Sequence, residues 1–196
     1  MTRFFEPPRP RVLAHRGLAI DVPENTLLAF ERAVAVGAAY IETDVHASAD
    51  GVAILAHDPD LMRVAGLGAR IGELTAAELA RVGLGAGQGL VPLAEALDAF
   101  AGIRFNIDVK DPAAVEPTAR AVRAAAAVDR VLVSSFSEAR RRAGGDASGF
   151  SGGGSVTAKL SYRLSLHPGF PVVLYGKHYD FGILARFRTR VNAKSD

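Results

Sequence analysis

The 196 residues suffice for one sizeable hydrophobic core and are short for two. With 49% hydrophobic and 22% charged residues the composition is that of a soluble globular protein, and 23 basic against 21 acidic side chains leave +2, no electrostatic case for nucleic acid or an anionic membrane as partner. There is no cysteine, so disulfides and thiolate metal sites are excluded, and any metal must be held by oxygen or histidine nitrogen.

The opening stretch "MTRFFEPPRPRVLAHRG" lacks the apolar core of a signal peptide. No run approaches the roughly 20 apolar residues that cross a bilayer. A cytoplasmic protein without stable membrane insertion is therefore expected. After the proline-rich lead, "RVLAH" (11–15) reads as a strand. "NTLLAFERAVAVG" (25–37) places Leu27, Phe30 and Val34 at helical spacing, with Gly37 as a stop. "AYIETDVH" (39–46) is the next strand, "ADG" (49–51) a turn, and "VAILAHD" (52–58) a strand again. "ELTAAELARVG" (73–83) is a short helix with Thr75 as N-cap and Glu78 completing a capping box.

The glycine-rich "GLGAGQG" (83–89) precedes a helical segment rather than following a strand and lacks the lysine of a phosphate loop, so it reads as a flexible connection. A helix over 90–102 has Pro92 in its first turn. Strand "RFNIDVK" (104–110), an alanine-rich helix (113–127) and strand "RVLVSSF" (130–136) follow. Five strands alternating largely with helices imply right-handed βαβ units on a parallel sheet. From Gly144 the character changes: 144–154 is a Gly/Ser-rich linker, and 155–196 shows one strand-like run (170–175) and no strand–helix rhythm.

Strand side chains alternate between faces, so Glu42 and Asp44 point one way with His46 beyond them. On the later strand Asn106, Asp108 and Lys110 share a face, while Phe105, Ile107 and Val109 face covering helices. In a parallel barrel, polar groups at the C-terminal strand ends form the site. His15 and His57 end their strands where that mouth would lie. Three converging carboxylates repel one another unless a divalent cation joins them, and hard oxygen donors favour Mg²⁺ or Ca²⁺. Counted with such a cation, Arg16 and Lys110, the site carries roughly +1, which a phosphodiester neutralises. Two imidazoles suit a general base and a general acid at one phosphorus. His46 reads as a strand-end cap, Asp50-Gly51 as a turn and Asp58 as a loop-orienting residue, while His167 and His178 receive no role.

The ordered stretches "AHRG", "PENTLLAF", "GAAYIETDV", "ADG", "HDPDLMR" and "NIDVK" resemble the glycerophosphodiester phosphodiesterase family over residues 11 to about 137. The resemblance implies a TIM (β/α)8 barrel of the phospholipase-C-like phosphodiesterase kind. It implies hydrolysis of glycerophosphodiesters to glycerol 3-phosphate and an alcohol, a step of lipid and glycerol metabolism. It implies His15 and His57 as the acid–base pair, Arg16 and Lys110 on the phosphate, Asn25 in a positioning role there with Glu24 beside it at the mouth, and Glu42, Asp44 and Asp108 as metal ligands.

Two departures stand out. Asp108 is one methylene shorter than the family's usual glutamate and matches what sphingomyelinase D-like phospholipases carry, which keeps a lyase acting on lipid phosphodiesters as an alternative. The resemblance ends near Ala143, without the tryptophan motif and Asp-Gly-Ile motif of the later family strands, as a truncated, frame-shifted or recombined reading frame would. A complete barrel takes about 250 residues, roughly 200 at least. The expected organisation is thus a site-bearing barrel portion over 1–143, incomplete or atypical after about 143, then the linker and the tail. An open barrel edge would favour self-association, and a catalytically dead barrel retaining metal or phosphate binding is the reading from a different class.

Overall fold

The computed structural model describes Phe4, residues 12–134 and three short strands at 162–165, 171–174 and 183–185. The linker at 144–154 lies outside the described residues. Strand β1 (Val12–His15) leads through a loop to helix α1 (Leu27–Ala35), and β2 (Tyr40–Ala47) follows. Thr26 caps α1, its hydroxyl accepting from the Ala29 N–H, and Gly37 turns the chain at φ 93°.

Beyond β2, the turn at Ser48–Gly51 reverses the chain into β3 (Ala53–Leu55), which pairs antiparallel with β2. This corrects the expectation that 52–58 adds a parallel wall strand. A hairpin turn of four residues cannot carry the chain back to the starting edge, as a parallel crossover requires. Helix α2 (Met62–Ala65) and helix α3 (Ala76–Leu79) follow, and α3 carries the expected Thr75/Glu78 capping box. The glycine-rich segment is also more than a connection. Strands β4 (Gly83–Gly85) and β5 (Gln88–Gly89) form a small hairpin, with Ala86 at φ 50° and Gly87 at φ 69° making its turn.

The chain rejoins the main sheet at α4 (Leu93–Ala99), then β6 (Arg104–Val109), α5 (Val115–Ala124) and β7 (Val131–Ser134). Strands β1, β2, β6 and β7 lie side by side and parallel. Strands β8 (Tyr162–Ser165), β9 (Pro171–Leu174) and β10 (Ile183–Ala185) form an antiparallel meander whose β10 pairs parallel with β1. The pairing path among the described residues runs β7-β6-β2-β1-β10-β9-β8 without joining its two ends.

Two apolar clusters hold the described residues. The larger lies between the parallel strands and helices α1, α4 and α5, where Phe30 meets Phe100 and Phe105 edge-on at 5.9 and 5.8 Å. Ile41 and Val45 of β2 and Phe105, Ile107 and Val109 of β6 face it, as the alternation predicts. The smaller cluster, Ile54, Ala56, Leu61, Ile71, Leu79 and Leu90, belongs to the excursion between β3 and α4.

Candidate active site

With their odd-numbered neighbours turned to the helices, Glu42 and Asp44 face the other side of the sheet, beside β6. Register places Glu42 opposite Asn106 and Asp44 opposite Asp108. Asp44 is fully buried, and Glu42 and Asp108 nearly so. Buried carboxylates need partners. Lys110 Nζ lies 2.8 Å from Asp44 Oδ1 and 2.6 Å from Asp108 Oδ2, bridging the two strands. Burial works against the ammonium charge, but the flanking carboxylates outweigh it and hold Lys110 above its usual value. Arg16 Nε adds an ion pair to Asp44 Oδ2 at 2.9 Å, and the Asn25 amide reaches the same oxygen at 3.5 Å. Asn25 Oδ1 accepts from Thr43 at 2.8 Å, so this side chain is engaged within the site.

Arg16 arrives there by a strained route. Its φ is 58° and that of Asn25 is 56°, left-handed values that an arginine seldom adopts. The strain is held by backbone bonds, from Arg16 N to the Glu42 carbonyl at 2.8 Å and from Asn25 N to the Arg16 carbonyl at 3.0 Å. Gly17 follows at φ 82°, and a Cβ there would sit 2.6 Å from the Ala29 backbone. The glycine of "HRG" lets the loop touch helix α1.

Glu42 Oε2 is buried with no hydrogen-bond partner, and His15 Nε2 lies 3.7 Å from it. Burial first, then the charge of Asp44, push its carboxyl well above the usual range, against the pull of Arg16 and Lys110. Asn106 Oδ1 across the register is also buried without a partner. Among the described residues no three His, Asp or Glu side chains are arranged to hold a metal ion as they stand. Yet the all-oxygen donor set and the orphaned Glu42 oxygen suit a hard divalent cation, and Glu42, Asp44 and Asp108 are the residues that would hold it.

The hairpin reversal brings His57 to the site. Ala56 N bonds to the Asp44 carbonyl at 3.0 Å, so the next residue stands level with the carboxylates. His57 Nδ1 lies 2.6 Å from Asp58 Oδ1. Partial burial raises the Asp58 carboxyl, but the bonds from His57 and Arg63 outweigh it and keep it below the usual range. Facing a carboxylate, Nδ1 is placed to donate, a geometry that turns Nε2 away from Asp58. The cleft beside it is lined by Glu24, Asn25, His57 and Asp58 over an apolar floor of Leu84 and Leu90. Both ring nitrogens of His46 are engaged, with the His57 carbonyl at 3.2 Å and Asp111 at 2.9 Å, which ties the His57 loop to the segment after β6. Sequence reasoning missed Asp111 and Arg63, although Arg63 stands inside the quoted "HDPDLMR".

The sequence model of the Glycerophosphoryl diester phosphodiesterase family matches residues 15–153. The chain belongs to that family. It is 42% identical over 131 residues to the probable glycerophosphodiester phosphodiesterase 2 of Mycobacterium tuberculosis, covering 66% of this chain and 50% of that protein. A glycerophosphodiester phosphodiesterase of Caldanaerobacter subterraneus is 32% identical over 139 residues, covering 64% of this chain and 57% of the relative. This family member thus spans about half the length of the curated relatives it matches. Among solved structures, the glycerophosphodiester phosphodiesterase of Agrobacterium tumefaciens superposes with a TM-score of 0.64 at 29% identity, covering 71% of this chain and 63% of that one. The Thermotoga maritima enzyme gives 0.58 at 31% identity, over 68% and 57%. Family membership and the barrel class of the fold, both expected from the motifs, stand.

Proposed function

We propose that this chain hydrolyses glycerophosphodiesters to glycerol 3-phosphate and an alcohol, with His15 and His57 as the acid–base pair. The observation that carries the reading is the convergence of Glu42, Asp44, Asp108, Arg16 and Lys110 on one face of adjacent strands, with His15 3.7 Å from Glu42 and His57 in the cleft beside Asn25. A Mg²⁺ or Ca²⁺ held by Glu42, Asp44 and Asp108 would supply Lewis-acid stabilisation of the phosphoryl oxygens. Arg16 and Lys110 offset the charge that builds on the equatorial oxygens, and Asn25 holds Asp44 and the strained loop in place. One imidazole takes a proton from the attacking water as its oxygen bonds to phosphorus. The other protonates the leaving alkoxide as its P–O bond breaks. His57, with Nδ1 turned to Asp58, presents Nε2 to the site, as a base when that nitrogen is unprotonated and as an acid when the ring is imidazolium.

The test is release of glycerol 3-phosphate from glycerophosphocholine with Mg²⁺ or Ca²⁺ added. Glu42→Ala is expected to remove at least about a hundredfold of the rate. A cyclic phosphate product would instead make the substrate's own hydroxyl the nucleophile, and turnover of intact lipid would favour the lyase reading that Asp108 keeps open. No turnover, together with a melting temperature that rises on adding cation, would make the chain a binding remnant. The site would serve a cytoplasmic lipid-metabolic hydrolase, consistent with the absence, among the described residues, of any helix long and apolar enough to cross a membrane. The unjoined edges of the pairing path leave self-association as a further expectation, which sedimentation would decide.

A further inference from the structure

Arg63 lies on the four-residue helix α2 with its side chain 49% exposed, where an ion pair ordinarily contributes little to stability. Its bonds nevertheless divide between two loops. Nε lies 2.5 Å from Asp58 Oδ2, and Nη2 lies 2.7 Å from Glu24 Oε1. Each of those carboxylates holds a group of the proposed mechanism with its remaining capacity. Asp58 accepts from His57 Nδ1 through its other oxygen at 2.6 Å, and Glu24 Oε1 also accepts from Arg16 Nη1 at 3.0 Å. With both oxygens of Asp58 engaged, its carboxylate plane is fixed, and with it the proton position on His57. Glu24 is braced between two guanidinium groups and sits beside the left-handed Asn25.

We propose that Arg63 is a positioning residue. It touches no reacting atom, and its forked guanidinium sets His57 through Asp58 and Arg16 through Glu24. A lysine cannot replace it, since one ammonium lacks the two fixed, divergent N–H groups that span both carboxylates. Removing the fork lets Asp58 rotate off His57, so the ring loses its single tautomer and the site loses alignment rather than affinity. The inference rests on the reading of His57 as one of the acid–base pair.

The experiment compares wild type, Arg63→Ala and Arg63→Lys, with Arg123→Ala, at an exposed position of α5, as control. In the glycerophosphocholine assay Arg63→Ala and Arg63→Lys should each lose about ten- to a hundredfold in kcat, with KM changed by less than about threefold. Millimolar guanidinium should restore part of the Arg63→Ala rate and none of the Arg63→Lys rate. Tm should fall by no more than about 4 °C in either variant. Nitrogen-15 NMR of the His57 ring, assigned by difference against His57→Gln, should show the Nδ1–H tautomer in wild type and a tautomer mixture in Arg63→Ala. An unchanged kcat, full activity in Arg63→Lys, or an unchanged tautomer in Arg63→Ala overturns the proposal. If wild type shows no turnover, the hydrolase reading fails and the tautomer measurement alone decides the role of Arg63.

Discussion

The two halves of the site are held by different physics. Glu42, Asp44 and Asp108 stand on strands whose register is set by a six-residue parallel ladder and a dry apolar cluster behind it, and Lys110 directly follows β6. His57 and Asp58 stand on the excursion between β3 and α4, which has its own small cluster, meets β2 through the Ala56–Asp44 and His57–His46 bonds, and meets the loop after β1 through the partly exposed Arg63–Glu24 pair. Charges on the strand half are buried, so their errors are costly to the fold. Charges on the excursion half are hydrated, so their errors are cheap for the fold and damage alignment. One region risks stability to concentrate charge, and the other positions an imidazole at little stability cost.

Four measurements would break or sharpen that contrast, the strongest first. Lys110→Met leaves Asp44 and Asp108 buried without their bridging cation, and should cost about 3–5 kcal/mol in denaturant unfolding; a loss under about 1 kcal/mol would show that the strand half is wetter than described. Leu79→Ala, in the small cluster, should destabilise by about 2–5 kcal/mol. Amide exchange should show that loss within residues 56–90 while β2 and β6 stay protected. Equal loss of protection in β2 would mean that the two halves unfold as one.

Glu42 provides the third. Its folded carboxyl keeps its proton to higher pH than the unfolded chain does, so it supports the fold below the ordinary glutamate value of about 4.3. That support is lost as pH rises through the raised folded value. Tm in EDTA should therefore fall as pH rises above the ordinary glutamate value, and Glu42→Gln should flatten the slope. A slope unchanged by the substitution would place the titrating group elsewhere. The smallest effect is expected at the exposed Arg123–Glu116 pair, where Arg123→Ala should change stability by less than about 0.5 kcal/mol.

Much of this was legible in the letters. Period-2 alternation identified the inward face of β2 and β6, because a one-residue change of register would bury charge against helices. The Thr75/Glu78 box and the Gly37 stop are local chemistry, readable without neighbours. The direction of β3 was not, since an apolar run carries no sign of which way it pairs. Nor was the Lys110 bridge: sequence alternation puts three carboxylates and a lysine on one side but does not tell whether the lysine or a cation lies between them. Arg63 meets Glu24 across 39 positions of chain, a separation that no local pattern encodes.

The close approach of Gly17 to Ala29 has a consequence for the order of assembly. The 2.8 Å bond from Leu18 N to the Ala29 carbonyl uses a surface that exists only once the first turn of α1 is wound. The loop that carries Arg16 therefore has nothing to close upon in a chain whose helix is still unformed. Closure of the Arg16 loop is thus expected to follow winding of α1, and a substitution that frays the start of that helix should loosen the loop while the sheet remains intact.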